Sequence, residues 1–206
     1  MKKFFLLAVA LTAMLSCSSD NGTTTAGDVS AVDEVIYSRR SIRSYTDQAI
    51  SREVLDQILD AGINAPNGQG RQAYEIRVVD DPVLLNEMAE AALKGAKGAP
   101  RGGASRFFQG AGAVVFIAND QSYDMSQVDC GLLGENIILS AWARGIGSCC
   151  LASPVRMMKQ SEECAPYLSR MGFSNGYELL YCIALGYPAE SPDARPRKSD
   201  MIRYVK

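Results

Sequence analysis

The chain has 206 residues, of which 47% are hydrophobic, 21% charged and 8% aromatic, the composition of one folded domain rather than a disordered, collagenous or coiled-coil chain. Lys and Arg number 21 against 23 Asp and Glu, so the net charge of −2 provides no global basic field for nucleic acid. Histidine is absent, which excludes Ser-His-Asp and Cys-His nucleophile sites, His-ligated zinc and a His general base.

Residues 1–16 have the pattern of a signal peptide rather than of a fold element. Two lysines precede an apolar run over Phe4–Leu15, and a serine stands directly before Cys17. The run is shorter than the roughly 20 residues of a permanent membrane span, and it resembles a bacterial lipoprotein signal, in which the cysteine is lipidated. We therefore expect a cell-envelope protein, lipid-anchored at Cys17 on the periplasmic or surface side. A plain cleaved signal peptide and an uncleaved amphiphilic tail are the alternatives.

The rest of the chain divides into a tether and one domain. Residues 17–28 are polar and rich in Gly, Ser and Thr, which favours a flexible tether. Residues 29–206 then supply enough chain for a single core and a C-terminal arm. The domain's cysteines are odd in number and lack CxxC or repeated spacing, which argues against a disulfide framework or a zinc site and predicts that most of them are small buried hydrophobic residues. They are Cys130, Cys149, Cys150, Cys164 and Cys182.

Capping residues and hydrophobic spacing predict the elements of the first half. A short helix begins at Ser30, and Ser51 caps a second helix that stops before the turn at 66–68. Tyr74–Val78 alternates apolar and charged residues, which indicates a strand with one wet face. Pro82 opens a third helix.

The second half continues the mixture of helices and strands. Residues 95–106 are Gly-rich and basic but lack the closing Gly-Lys-Ser/Thr of a P-loop, so we expect a surface loop. Ala113–Ala118 is typical of a strand buried on both faces, and a long helix follows over Ser126–Arg144. Without regular βαβ spacing, this order predicts an α+β layered fold, with the proline-rich basic tail as an extended arm. The remaining elements are two strands, Cys149–Ala152 and Glu178–Leu185, and a helical stretch between them, Val155–Tyr167.

Two basic clusters stand at opposite ends of the domain. Arg39, Arg40 and Arg43 surround the hydroxyl of Ser41, and the Arg195–Lys198 stretch follows the last predicted strand. Guanidinium groups bind phosphate or a flat anionic edge through paired, charge-assisted hydrogen bonds. For the first cluster taken alone, a solvated basic face is the alternative.

Two further segments are polar or glycine-rich connections. Ala65–Tyr74 (APNGQGRQAY) joins a helix to a strand and offers backbone N–H groups and side-chain amides to a planar ligand. An ordinary connection is the alternative. Arg144–Pro154 runs from a helix end through a strand into another turn.

In this order, the four segments resemble the nitroreductase family of FMN-dependent oxidoreductases, over about Val32 to Lys198. The resemblance implies that Arg43 reaches the pyrimidine edge of the flavin, where a cation stabilises the anionic reduced form. Arg106 stands where the family often has a second cation near the flavin. The residues that it assigns to the FMN phosphate and ribityl end are Arg39, Arg40, Ser41 and Arg197, with Arg195 beside the last.

The resemblance also assigns the two connections. APNGQGRQAY is similar to the family's Ala-Pro-Ser-x-x-Asn-x-Gln-Pro-Trp loop, which packs on the flavin from the partner subunit. Gly70 replaces the usual Asn and removes one amide contact, while Ala73 and Tyr74 replace the Pro and Trp. The segment GIGSCCLAS is similar to the family's strand whose backbone lies against the flavin's redox edge, with the Ala152 N–H a candidate donor to flavin N5. The assigned residues are Pro66, Asn67, Gly68 and Gln72 in the loop and Cys150, Leu151, Ala152 and Ser153 in the strand.

The family's fold is a three-layer α-β-α domain with a central, mostly antiparallel sheet, in an interlocked homodimer. The implied function is FMN-dependent transfer of electrons from a reduced nucleotide, or another donor, through flavin N5 to nitroaromatic or quinone-like acceptors. No catalytic side chain and no metal are expected, because the chemistry belongs to the flavin. An envelope location separates the chain from cytosolic NAD(P)H, so we expect a different physiological donor. The alternative is a membrane-anchored flavin-binding protein without turnover.

Overall fold

The computed structural model describes residues 26–94 and 102–206. The predicted signal peptide, Cys17 and most of the tether lie outside these ranges, as do residues 95–101 of the Gly-rich loop. Within the two ranges, no helix is long and apolar enough to cross a membrane.

The described residues form helices on both sides of one sheet. The α-helices are α1 Ala26–Ser38, α2 Arg52–Ile63, α3 Pro82–Lys94, α4 Ser126–Ala143, α5 Ser153–Gln160 and α6 Ala165–Met171. The strands are β1 Tyr74–Val79, β2 Ala113–Asp120, β3 Gly147–Leu151 and β4 Tyr177–Gly186.

The sheet has the strand order β1-β2-β4-β3, and all of its pairs are antiparallel. The central strand β2 is buried along nearly its whole length, as its apolar run predicts. Its residues alternate between two cores: Phe116 packs on one face and Ile117 on the other. The predicted α+β architecture with a mostly antiparallel sheet is confirmed.

Helices cover each face and so complete three layers. On one face, Met88 of α3 and Met158 of α5 pack in the core that contains Phe116. On the other, Ile58 of α2 and Ile137 of α4 pack against Ile117. The helix α2 begins where predicted, since the Ser51 hydroxyl accepts a hydrogen bond from the Val54 N–H at 3.3 Å.

Three elements differ from the sequence-based expectation. The helix α1 begins at Ala26, four residues before Ser30, and thus includes residues assigned to the tether. The stretch Val155–Tyr167 is not one helix, because Ser161 adopts an extended backbone between α5 and α6. The Ser161 hydroxyl is buried and donates to the Ala91 carbonyl at 2.7 Å, so a tertiary hydrogen bond stabilises the break.

The predicted wet face of β1 is also wrong, since all six of its residues are half-buried. Arg77 lies over the Phe173 ring at 4.8 Å and donates to the backbone carbonyls of Met171 and Gly172. The end of α6 therefore covers the face that alternation assigns to solvent.

Candidate functional site

The site is positioned by the chain segment between α1 and α2, which lies along the edge strand β3. The Ile42 N–H donates to the Ser148 carbonyl at 2.8 Å, and Ser41 forms a parallel bridge with Ser148. The same segment pairs with the chain that leaves β4, because the Ala189 N–H donates to the Ser44 carbonyl at 2.9 Å. Backbone hydrogen bonds thus place the two distant basic clusters side by side.

Together the clusters line a cleft of about 210 Å³, which we call the arginine cleft. It brings together five of the predicted site residues with Arg195 and one carboxylate, Asp193. Guanidinium groups at this density make a binding site for a phosphate or another multiply charged anion. The lining residues are Arg39, Arg40, Ser41, Arg43, Pro192, Asp193, Arg195 and Arg197.

Two arginines of the cleft are held in different ways. One Nη of Arg40 donates to the carbonyls of Tyr37, Ser38 and Arg39, each at 2.8 Å, so this side chain caps the C-terminus of α1. The Nε of Arg39 is buried and has no hydrogen-bond partner, although Glu135 lies 3.6 Å away. A buried donor without an acceptor is unfavourable, and a ligand oxygen would satisfy it.

The predicted strand residues lie along β3 and just beyond it. Cys150 is exposed, Leu151 is buried, and Ala152 and Ser153 are exposed at the start of α5. Although the residue is exposed, partial loss of water around its sulfur raises the pKa of the Cys150 thiol, and the charges of Cys149 and Glu135 raise it further. The thiol is therefore protonated at neutral pH and is not an activated nucleophile.

The segment from Pro66 to Gln72, called here the 66–72 loop, lies at the opposite corner of the sheet. It precedes β1, and β1 and β3 are the two edge strands, three strand spacings or roughly 14 Å apart. It also adjoins Tyr74, which pairs with Asn119, whereas the arginine cleft adjoins the end of the sheet where Gly147 pairs with Gly186. One subunit does not bring this loop to its own cleft.

Internal hydrogen bonds hold the 66–72 loop in an unusual backbone conformation. Gln69 and Gln72 have φ of 57° and 49°, in the left-handed region, where side chains other than glycine are uncommon. The Gln72 N–H donates to the Asn67 side-chain oxygen at 2.9 Å. Two of the predicted site residues therefore organise the loop itself.

Two residues that the sequence analysis did not identify, Asp129 and Tyr123, pack against the loop at Gly68. The Gly68 N–H donates to Asp129 Oδ1 at 2.9 Å, and Asp129 is 2% exposed, with its Oδ2 buried and without a hydrogen-bond partner. A Cβ on Gly68 would lie 2.0 Å from the Tyr123 hydroxyl oxygen, so a larger residue fits only if the Tyr123 side chain moves away from the loop. The sequence offered one sign of Asp129: it is an acidic residue in the first turn of the long predicted helix, on the buried side of that helix.

The fold is like that of several solved structures. A crystal structure of a nitroreductase with bound FMN from Desulfitobacterium hafniense has a TM-score of 0.75 and 29% identity, covering 85% of this chain and 98% of that one. A second, also with bound FMN, from Bacteroides fragilis, has a TM-score of 0.74 and 27% identity over the same shares of the two chains. The class defined by fold is thus that of the nitroreductases.

Sequence comparisons give the same result. Residues 36–187 match the model of the Nitroreductase family. A relative from Archaeoglobus fulgidus, named as an NADH dehydrogenase/NAD(P)H nitroreductase, is 31% identical over 165 residues, which cover 78% of this chain and 87% of the relative. An NADPH-flavin oxidoreductase of Vibrio harveyi is 25% identical over 179 residues, covering 80% and 68%. This chain belongs to the nitroreductase family.

Proposed function

We propose that this protein is an FMN-dependent oxidoreductase whose arginine cleft binds the FMN phosphate. The observation that carries the proposal is the convergence of five arginines and Ser41, from the two ends of the domain, on one cleft. The unsatisfied Arg39 Nε fits the same ligand, because it lacks the acceptor that a phosphate oxygen supplies. FMN-bound nitroreductases of the same fold support this choice among phosphate-bearing ligands.

Each residue of the site has a definable task in this proposal. Arg39, Arg195 and Arg197 neutralise the phosphate, and the Ser41 hydroxyl donates to it. Arg43 supplies a positive charge to the flavin, which favours its anionic reduced form. The backbone of Cys150–Ser153 offers N–H groups beside the cleft segment, since β3 also holds Ile42.

Bound FMN would supply two-electron redox chemistry at N5 between a donor and an acceptor. The chain's own residues need only bind and orient the flavin and tune its charge. We propose a reduced nucleotide as the donor in vitro, as the names of the NAD(P)H-dependent relatives suggest. Nitroaromatic or quinone-like compounds are the proposed acceptors.

The separation of the two parts of the site supports a homodimer. The 66–72 loop lies at the corner of the sheet away from the cleft of its own subunit, so we propose that it covers the cofactor of the partner. Large apolar side chains are exposed on α1 and in the C-terminal arm, including Val32, Ile36 and Ile202. A second copy of the chain would bury such surfaces.

The cellular location stays a proposal from the N-terminal residues. We propose that Cys17 is lipidated and that the enzyme works on the outer side of the cytoplasmic membrane with a donor other than free NAD(P)H. Labelling of cells with a radioactive fatty acid tests this proposal: wild-type protein should be labelled and found in the membrane fraction, and Cys17→Ala should not be labelled. Unlabelled wild-type protein in the cytosol would contradict it.

The visible absorption spectrum of the purified protein tests the proposed function. We expect a flavin band that bleaches when NADH or NADPH is added without oxygen. A band that neither nucleotide bleaches, but that a third reductant milder than dithionite does bleach, would favour another donor. A band that persists through every reductant except dithionite would favour binding without turnover, which the absence of a side-chain amide at Gly70 makes the second candidate. Absence of flavin after incubation with FMN would overturn the proposal.

A further inference from the structure

The backbone of Arg43 makes different hydrogen bonds from the backbones of its two neighbours in the chain. Ile42 and Ser44 are hydrogen-bonded to the backbones of Ser148 and Ala189. Arg43 is instead bonded by charged side chains. Its N–H donates to Glu190 Oε1 at 2.5 Å, and its carbonyl accepts from Arg106 Nη1 at 3.3 Å.

The two side chains come from parts of the chain distant in sequence. Glu190 lies just after β4, in the segment that leads to the cleft residues of the C-terminal arm, and Arg106 is the last residue of the Gly-rich loop. The carboxylate on the N–H and the guanidinium on the carbonyl each make an exposed, charge-assisted hydrogen bond, and the contact of Glu190 is the shorter of the two. The backbone from which the Arg43 side chain extends is thereby fixed on both sides.

Glu190 also places a negative charge beside the arginines of the cleft. At the neighbouring residue Cys149 of β3, burial raises the pKa of the thiol, Arg43 lowers it, and Glu190 raises it. The charges of Glu190 and Arg43 therefore act on the same strand with opposite signs. A carboxylate here offsets part of the positive potential that the arginines create.

We infer that Glu190 is a positioning residue for the flavin site: it fixes the backbone of Arg43 and limits the positive charge that the flavin experiences, while Arg106 holds the other side of Arg43. This inference rests on the proposed function. Its consequence is a lower reduction potential for the bound flavin than the arginines alone would set, because anionic reduced flavin is stabilised by less net positive charge.

Two variants separate the hydrogen bond from the charge. Glu190→Gln keeps an oxygen that accepts from the Arg43 N–H but removes the charge, so the midpoint potential of the bound FMN should rise while its dissociation constant stays within about twofold. Glu190→Ala removes both, and we expect FMN to bind about tenfold more weakly. Glu162→Gln, a charge removal at an exposed residue outside the cleft, is the matched control and should change neither quantity.

Hydrogen exchange of the Arg43 amide in FMN-free protein tests the backbone contact without any cofactor. Exchange should be faster in Glu190→Ala than in wild type and nearly unchanged in Glu190→Gln. Wild-type potential and affinity in both Glu190 variants, together with unchanged Arg43 exchange, would overturn the inference. If wild-type protein binds no FMN, the proposed function fails instead, and the exchange data still decide whether Glu190 fixes Arg43.

Discussion

The arginine cleft and the 66–72 loop lie at opposite corners of one sheet and are stabilised by different interactions. The cleft is formed by backbone pairing between the two ends of the domain and carries five arginines, whose charge the carboxylates of Asp193, Glu190 and Glu135 offset only in part. The loop has few charges and depends on a buried carboxylate, a glycine packed closely against Tyr123 and two residues other than glycine with positive φ. Affinity for an anion therefore depends on the arginine cleft, and the fit of the protein surface to a planar ligand depends on the 66–72 loop.

Removal of charge from the arginine cleft should have the largest effect on cofactor binding. In Arg195→Ala/Arg197→Ala two guanidiniums are lost from an exposed arm, so folding should be unaffected. We expect the FMN dissociation constant to rise at least about a hundredfold, since a hydrogen bond to a charged group contributes about 1.5–3 kcal/mol. Fluorescence titration with FMN measures it.

The matched control removes two cations from the same arm outside the cleft. Arg203→Ala/Lys206→Ala has the same net charge as the cleft variant, and its FMN affinity should stay within about threefold of wild type, the size expected from screened long-range charge. Equal losses in both variants would show that the arm attracts FMN by net charge and that the cleft is not its site.

A side chain at Gly68 should have the next largest effect, this time on stability and on the loop. Its Cβ would meet the Tyr123 hydroxyl oxygen at 2.0 Å, so we expect Gly68→Ala to destabilise the protein by about 2–3 kcal/mol in urea unfolding. Tyr123→Phe removes that oxygen, and the double variant should regain most of the loss. A double variant as unstable as Gly68→Ala alone would show that the Cβ does not clash with the Tyr123 hydroxyl.

Loss of the buried carboxylate should cost less. Asp129→Ala leaves the Gly68 N–H without its acceptor and should lower the free energy of unfolding by about 1–2 kcal/mol. Asp129→Asn keeps an acceptor oxygen and should cost less than Asp129→Ala. Asp124→Ala, at an exposed carboxylate in the connection before α4, is the control and should unfold like wild type.

The smallest expected effect is on the pH dependence of stability, through Glu75 of β1, the strand that follows the 66–72 loop. Burial favours a raised pKa for Glu75, but hydrogen bonds from Ser174 and the charge of Arg77 outweigh it, so the pKa of this carboxyl is lowered in the folded protein. A lowered pKa means that Glu75 stabilises the fold above its ordinary pKa and that this contribution disappears as pH falls through the folded value.

In Glu75→Gln we therefore expect a loss of up to about 1 kcal/mol at neutral pH and a smaller decline of stability in acid. Unfolding free energies of wild type and variant, measured from pH 7 to pH 2, should converge at the acid end. Glu87→Gln, at an exposed position of α3, should run parallel to wild type. A constant gap between wild type and Glu75→Gln at every pH would show that the titration of Glu75 does not contribute.

Sequence patterns predicted the elements whose local signal agreed with their surroundings. Ala113–Ala118 reads as a buried strand because β2 is covered on both faces, and Ser51 caps α2 with its own hydroxyl. The pattern was wrong where a distant segment intervened. The alternation of residues in β1 gave no sign that the end of α6 covers Arg77. Helical spacing likewise gave no sign of the hydrogen bond that interrupts the helix at Ser161.

For the candidate site the division is similar. All residues that line the cleft were predicted from the arginine motif and the family resemblance, except Pro192 and Asp193. The prediction was possible because a cluster of guanidiniums is visible in the sequence. Asp129, Tyr123 and Glu190 were missed, since each acts on a residue more than 50 positions away and carries no local sign of it.

By itself, the sequence determined the class of fold, the family resemblance and the residue types that favour a phosphate-bearing cofactor over histidine chemistry, because these depend on composition and local spacing. Only the tertiary structure decided which segments meet. Antiparallel pairing of β3 with β4 and the parallel bridge of Ser41 with Ser148 place the ends of the domain together at β3 and leave the 66–72 loop at the far edge of the sheet. Long-range backbone hydrogen bonds, which no local pattern records, make that choice.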